Sequence, residues 1–144
     1  MKIEFRKNPD AREIRVLIEA PARDEQVDAL IRRLQAPTQI AAYSERGETM
    51  LQADEIIRIY TQQRRVMVDS DRGTFILRSR LYELEEMLDQ SEFVRISNSE
   101  IVCRRCIRNL DFSLAGTIRM SLQGGTVTYV SRRYVGRIRR LFEA

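Results

Sequence analysis

Alternation of polar and apolar residues begins at the first turn of the chain. Lys2-Ile-Glu-Phe-Arg6 has a period of two, which predicts a strand with Ile3 and Phe5 inward. Asn8-Pro9-Asp10 marks a turn, and Arg15-Val-Leu-Ile-Glu19 reads as a second strand. After Pro21 the period changes. Val27, Leu30, Ile31 and Leu34 fall on one helical face, with Asp24 placed to cap the helix and Pro37 to end it. This β-β-α piece of residues 1–37 is too small to hold itself together and is expected to serve dimerisation or regulation.

From Thr38 the pattern shortens to strands punctuated by turns, the start of a second unit expected over residues 38–144. Strands are predicted at 39–43 and 49–51 around Ser44–Gly47, at 56–60 and 66–68 around Thr61–Arg65, and at 74–77 after Asp69–Gly73. Leu81, Leu84 and Leu88 predict a helix starting at Ser79 or Arg80. Further strands are predicted at 93–96, 101–103, 107–111, 117–122 and 126–130, the last two joined by the hairpin signal Gln123-Gly-Gly125. A final helix opens at Ser131, with Tyr134, Val135, Ile138, Leu141 and Phe142 on its apolar side. The fold class is therefore β-rich α+β. No long helix pair suits a helix-turn-helix reader.

Charge divides the chain. From Phe93 onward ten arginines stand against three acids, a net of +7, whereas the first 92 residues carry −3. A basic end on a near-neutral body points to a polyanion, with nucleic acid first. The absence of histidine removes the nucleophile pairs and acid/base groups that need it, and only two lysines are present. No enzyme, metal or cofactor is expected. Cys103 and Cys106 make one Cys-x-x-Cys, half of a zinc site, and read as ordinary residues of a reducing compartment. With no leader and no apolar run of membrane-spanning length, a cytoplasmic protein is expected.

Three places carry recognition chemistry. Arg132 and Arg133 occupy the first turn of the last helix, where cations oppose the dipole at a cost of a few tenths to about 1 kcal/mol each. Free N–H groups and two guanidinium forks there suit a phosphate or a guanine. Ser97-Asn98-Ser99 interrupts an apolar run beside Arg95, and Asn98 offers the donor and acceptor that match an adenine edge. Gln62-Gln63-Arg64-Arg65 supplies two amides and two cations at a hairpin tip. Arg104, Arg105 and Arg137 would extend the electrostatic footprint.

Arg104-x-x-x-Arg108 and Asp111-x-Ser113-x-x-Gly116 resemble the signatures of PilZ domains, which bind cyclic di-GMP, but the two lie too close together for that fold. A longer string resembles another family. Phe93-Val-Arg-Ile-Ser-Asn-Ser-Glu-Ile-Val102, Ile107, Leu110, Gly116-Thr117, Leu122–Gly125 and Tyr129-Val-Ser-Arg-Arg-Tyr-Val135, preceded by the Leu81–Leu88 helix, look like a LytTR DNA-binding domain. The resemblance covers residues 38 to 142. It implies an elongated fold of three small antiparallel sheets plus two helices, and loops that read successive major grooves at direct repeats. It also implies transcription regulation. Carried onto this chain, the contacts fall at Gln62–Arg65, at Asn98 with Ser97 and Ser99, and at Arg133 beside Arg132. Ser97 and Cys103 depart from the family's frequent His and Asn. Without a phosphoacceptor domain, the chain resembles stand-alone members controlled by another component, such as a membrane protein. The competing expectation is a protein–protein interaction module with an incidental basic face. RNA binding ranks lower, because Tyr60, Tyr129 and Tyr134 read as core rather than as stacking platforms.

Overall fold

A computed structural model describes residues 1–143 and contains ten strands and three α-helices. Helix α1 (Glu25–Gln35) is capped as its sequence predicts: Asp24 accepts a hydrogen bond from the Val27 amide at 2.9 Å. Strands β1 (Gln39–Ser44), β2 (Gly47–Gln52), β3 (Ile56–Gln62), β4 (Arg65–Ser70) and β5 (Gly73–Leu77) follow, then helix α2 (Leu81–Met87). After it come β6 (Phe93–Ser97), β7 (Glu100–Cys103), β8 (Ile107–Asp111), β9 (Ile118–Leu122), β10 (Val127–Val130) and helix α3 (Arg132–Phe142).

Two antiparallel sheets result, not three. One has seven strands in the order β2-β1-β5-β4-β3-β7-β6, and the other has three in the order β10-β9-β8. The expected separate sheets merge because short ladders join them. The β1–β2 hairpin meets β5 through the single pair Tyr43↔Ile76, and β3 meets β7 through three pairs around Ile59↔Ile101.

The β6–β7 hairpin forms the wall between two cores. Phe93, Ile101 and Cys103 pack with Leu81, Leu84 and Leu88 of the α2 segment and with Ile56, Ile59 and Val68 of the large sheet. Val94, Ile96 and Val102, on the opposite face, pack with Ile118, Met120, Leu122, Val130 and Ile138. A strand buried on both sides needs a continuous apolar run, which Ile-Val-Cys provides. Cys103 and Cys106 are both buried free thiols. Burial, then the neighbouring Cys106, pushes the Cys103 thiol up to about 11, so it stays protonated at neutral pH.

The strands expected at 2–6 and 15–19 are absent. Ile3 and Phe5 are exposed rather than inward, and α1 has no buried residue. Alternation reports a face, but a strand forms only where a neighbour supplies its hydrogen bonds, and among the described residues no strand pairs with 2–6 or 15–19.

Candidate nucleic-acid interface

The β6–β7 turn is built around Arg95. Its Nε donates to Ser97 O and its Nη2 to Asn98 O, both at 2.6 Å, while Nη1 lies 3.4 Å from Glu85 of α2. Ser97 Oγ accepts from the Ser99 amide at 3.1 Å. The two carbonyls and the hydroxyl fix the turn, leaving Asn98 and Ser99 exposed at its tip. Arg95 itself is only 11% exposed, so it is occupied by the turn and does not face an incoming ligand.

Two hydrogen bonds attach neighbouring elements to this turn. Thr61 N donates to Ser99 O at 2.9 Å, which brings the β3–β4 turn alongside. That turn places Gln63 and Arg64 at φ +52° and +65°, the only non-glycine residues with positive φ among the described residues. On the other side, Ser131 N donates to Ile96 O at 2.9 Å and anchors the start of α3 to the end of β6. Ser131 occupies the N-cap position, yet its hydroxyl bonds no helix amide and instead approaches Ile96 O at 3.5 Å. Tyr134, half-buried against the second core, donates its phenol to Asn98 Oδ1 at 3.4 Å and so orients the amide.

One end of the molecule therefore gathers Gln62–Arg65, Ser97–Ser99 and Arg132–Arg133. With strands about 4.8 Å apart and a helix packed beside the last, this row spans roughly 20 Å. That exceeds the roughly 12 Å width of a major groove, so a duplex lying across it would meet both base edges and flanking phosphates. Arg64, Arg65, Arg132, Arg133 and Arg137 are exposed, and none lies within 4.0 Å of a carboxylate among the described residues. Arg132 lies over Gly116 (φ +74°), where an added Cβ would meet its guanidinium at 3.8 Å. Arg137 sits one turn along α3 from Arg133, on the same face.

Arg104 and Arg105 are not at this end. They follow β7, whose other end begins at Glu100 beside Ser99; the five residue steps from Ser99 to Arg104 put about 17 Å between them and the turn. Arg104 Nη1 reaches Ser91 O at 3.3 Å, and Arg105 donates to Asp54 O. Asp111 and Ser113 are spent on one another: Oδ1 accepts from the Ser113 amide and hydroxyl at 2.9 and 2.6 Å.

The sequence reading missed a polar cluster behind the turns. Glu100 is buried, accepts from Thr128 Oγ1 of β10 at 2.8 Å and lies 3.4 Å from Arg58 Nη1. Arg58 Nε donates to Asp69 at 2.9 Å, and Asp69 accepts from Tyr60 and Thr74 at 3.0 and 2.8 Å. Arg58 also covers the Tyr60 ring at 4.1 Å. Burial, then Asp69, raises the Tyr60 phenol above its ordinary pKa. The cluster ties the two sheets together directly beneath Ser99. Its signal in the sequence was a carboxylate opening the otherwise apolar Glu-Ile-Val-Cys. Tyr129, read as core, is exposed.

Known proteins agree with this architecture. The family model of the LytTr DNA-binding domain matches residues 47–143. Two uncharacterized HTH-type transcriptional regulators of Staphylococcus aureus, from strains RF122 / ET3-1 and NCTC 8325 / PS 47, are each 32% identical over 142 residues. The match covers 96% of this chain and 96% of each relative. The LytTr DNA-binding domain of a methyl-accepting/DNA response regulator from Bacillus cereus superposes with a TM-score of 0.72 at 19% identity. That match covers 76% of this chain and all of that one. Ten strands in this arrangement, the convergent basic turns and a family match over two thirds of the length lead to one conclusion: the chain belongs to the LytTr DNA-binding domain family.

Proposed function

We propose that this chain is a transcription regulator that recognises a specific double-stranded DNA sequence through its turns. Asn98 bonds a base edge, held by the Arg95 clamp and the Tyr134 phenol. Arg133 enters the major groove and reads a guanine, while Arg64, Arg65 and Arg132 hold phosphates and Arg137 continues the contact along the backbone. Gln62 and Gln63 offer amides to base or backbone.

The observation that carries this reading is the convergence of three separate segments on one end, with five guanidinium groups that have no carboxylate within 4.0 Å among the described residues. Cations grouped without counter-charges favour a polyanion, and a rigid amide among them adds what phosphate contacts lack, a donor and acceptor for bases. No two α-helices follow one another in the described chain, since strands separate α1 from α2 and α2 from α3. That favours turns over a recognition helix as the reading elements. The test is a binding selection from random duplexes. One enriched motif that outcompetes random duplex is expected; retention of the pool without enrichment would leave only charge-driven binding and end the proposal.

A further inference from the structure

Residues 1–19 hold the most exposed large apolar side chains among the described residues. Ile3, Phe5 and Ile14 are 83%, 91% and 95% exposed, and Val16 and Leu17 are exposed as well. We infer that this arm pairs with the same arm of a second copy of the chain.

The register is written in the residues. Set antiparallel with Glu4 opposite Arg15, the two alternating segments match along their length. Ile3 then faces Val16 and Phe5 faces Ile14 on one side of the pair. Glu4 meets Arg15 and Arg6 meets Glu13 on the other. Cross-strand pairs of both kinds are those that stabilise a two-stranded ladder. Two such pairs, related by a two-fold axis, would join two copies.

Within one copy the same register is blocked at the turn. It requires a two-residue loop of Pro9 and Asp10, and the structure does form that turn, with Ala11 N donating to Asn8 O at 3.1 Å. A two-residue hairpin closes well only with positive φ at its first central position, and proline is fixed near −65°. Strands leaving such a turn splay apart, and the flanking segments here remain unpaired.

Size also fits a second copy. A stable interface takes roughly 20–30 residues a side, and the arm brings residues 1–17, followed by Ile18, which lines a groove with Ala20, Ala22, Val27 and Ile31 at the foot of α1. The arm lies ahead of the family match at residue 47, yet the Staphylococcus aureus relatives match over 96% of this chain. It therefore belongs to chains of this kind rather than to the DNA-binding domain alone.

The test uses the full chain without DNA, so its outcome is separable from that of the DNA proposal. Mass is measured by sedimentation at tens of micromolar for the wild type, for Glu4→Arg, for Arg15→Glu and for an equimolar mixture of the two variants. The wild type should be a dimer, and each variant alone should dissociate at least tenfold more readily. The mixture should recover dimer, because in the heterodimer the two changed sites face each other and the two unchanged sites face each other. A monomeric wild type, a dimer indifferent to both changes, or a mixture no better than its parts would each overturn the inference.

Discussion

Among the arginines of the basic end, position in the fold separates two jobs that the sequence leaves identical. Arg95 makes two short bonds to the carbonyls of the turn and is mostly covered; Arg133 is exposed, its guanidinium 5.9 Å from the Tyr134 ring. Hydrogen bonds from a charged donor are worth about 1.5–3 kcal/mol. Arg95→Ala should therefore lower the unfolding free energy by about that amount and erase site preference together. Arg95→Lys should not restore either, since an ammonium cannot span both carbonyls as a guanidinium fork does. Denaturant melts paired with competition binding check this. Arg133→Ala should leave the melt unchanged and cost about 1–3 kcal/mol on the cognate site alone. An equal loss on random duplex would make Arg133 a phosphate contact instead.

At the scale of elements, the β3–β4 turn is the place where local preference is overruled. A two-residue turn with positive φ at both central positions favours Asn-Gly, yet Gln63 and Arg64 occupy it. Side chains with a Cβ in the left-handed region cost about 1–2 kcal/mol per residue, and such strain collects at functional sites. Replacing the pair, Gln63→Asn with Arg64→Gly, should raise the melting temperature by a few degrees and weaken DNA binding. A gain in stability with unchanged affinity would remove this turn from the interface. The type and order of the elements from Gln39 onward were legible because each strand and helix has its own period and its own turn residues, although β3 runs on to Gln62 and β4 starts at Arg65, leaving two turn residues where five were expected. The strands expected at 2–6 and 15–19 did not form, because alternation reports a face and not a partner, and no neighbouring strand pairs with either segment. The merging of the sheets was also out of reach, because a join made by one pair, Tyr43↔Ile76, leaves no pattern in the sequence.

For the whole molecule, the charge split favours one end for a duplex, but net charge overstates how many cations that end offers. Of the ten arginines after residue 92, Arg95 holds a turn, Arg104 and Arg105 lie at the far end of β7, and Arg139 pairs with Glu143 at 2.9 Å. The grouped free cations number five, two of them from the β3–β4 turn. Each phosphate contact contributes about −0.9 to the slope of log K against log salt. The slope should lie near −3 to −5, a loss on the order of a hundredfold between 50 and 200 mM salt. A slope near −9 would mean that the far-end arginines join the contact after all, and a flat response would deny the electrostatic footprint.

The sequence by itself determined the β-rich class, the order of the elements from Gln39, the basic bias of the end and the three candidate segments at Gln62–Arg65, Ser97–Ser99 and Arg132–Arg133, because period, turn chemistry and composition are local properties. Only the tertiary structure decided which cations are free. It brought Thr61 to Ser99 and Ser131 to Ile96, spent Arg95 on a pair of carbonyls, carried Arg104 and Arg105 to the opposite end, and buried Glu100 against Thr128. A guanidinium is charged wherever it sits; what it can bind depends on which acceptors the folded chain has already placed within its reach.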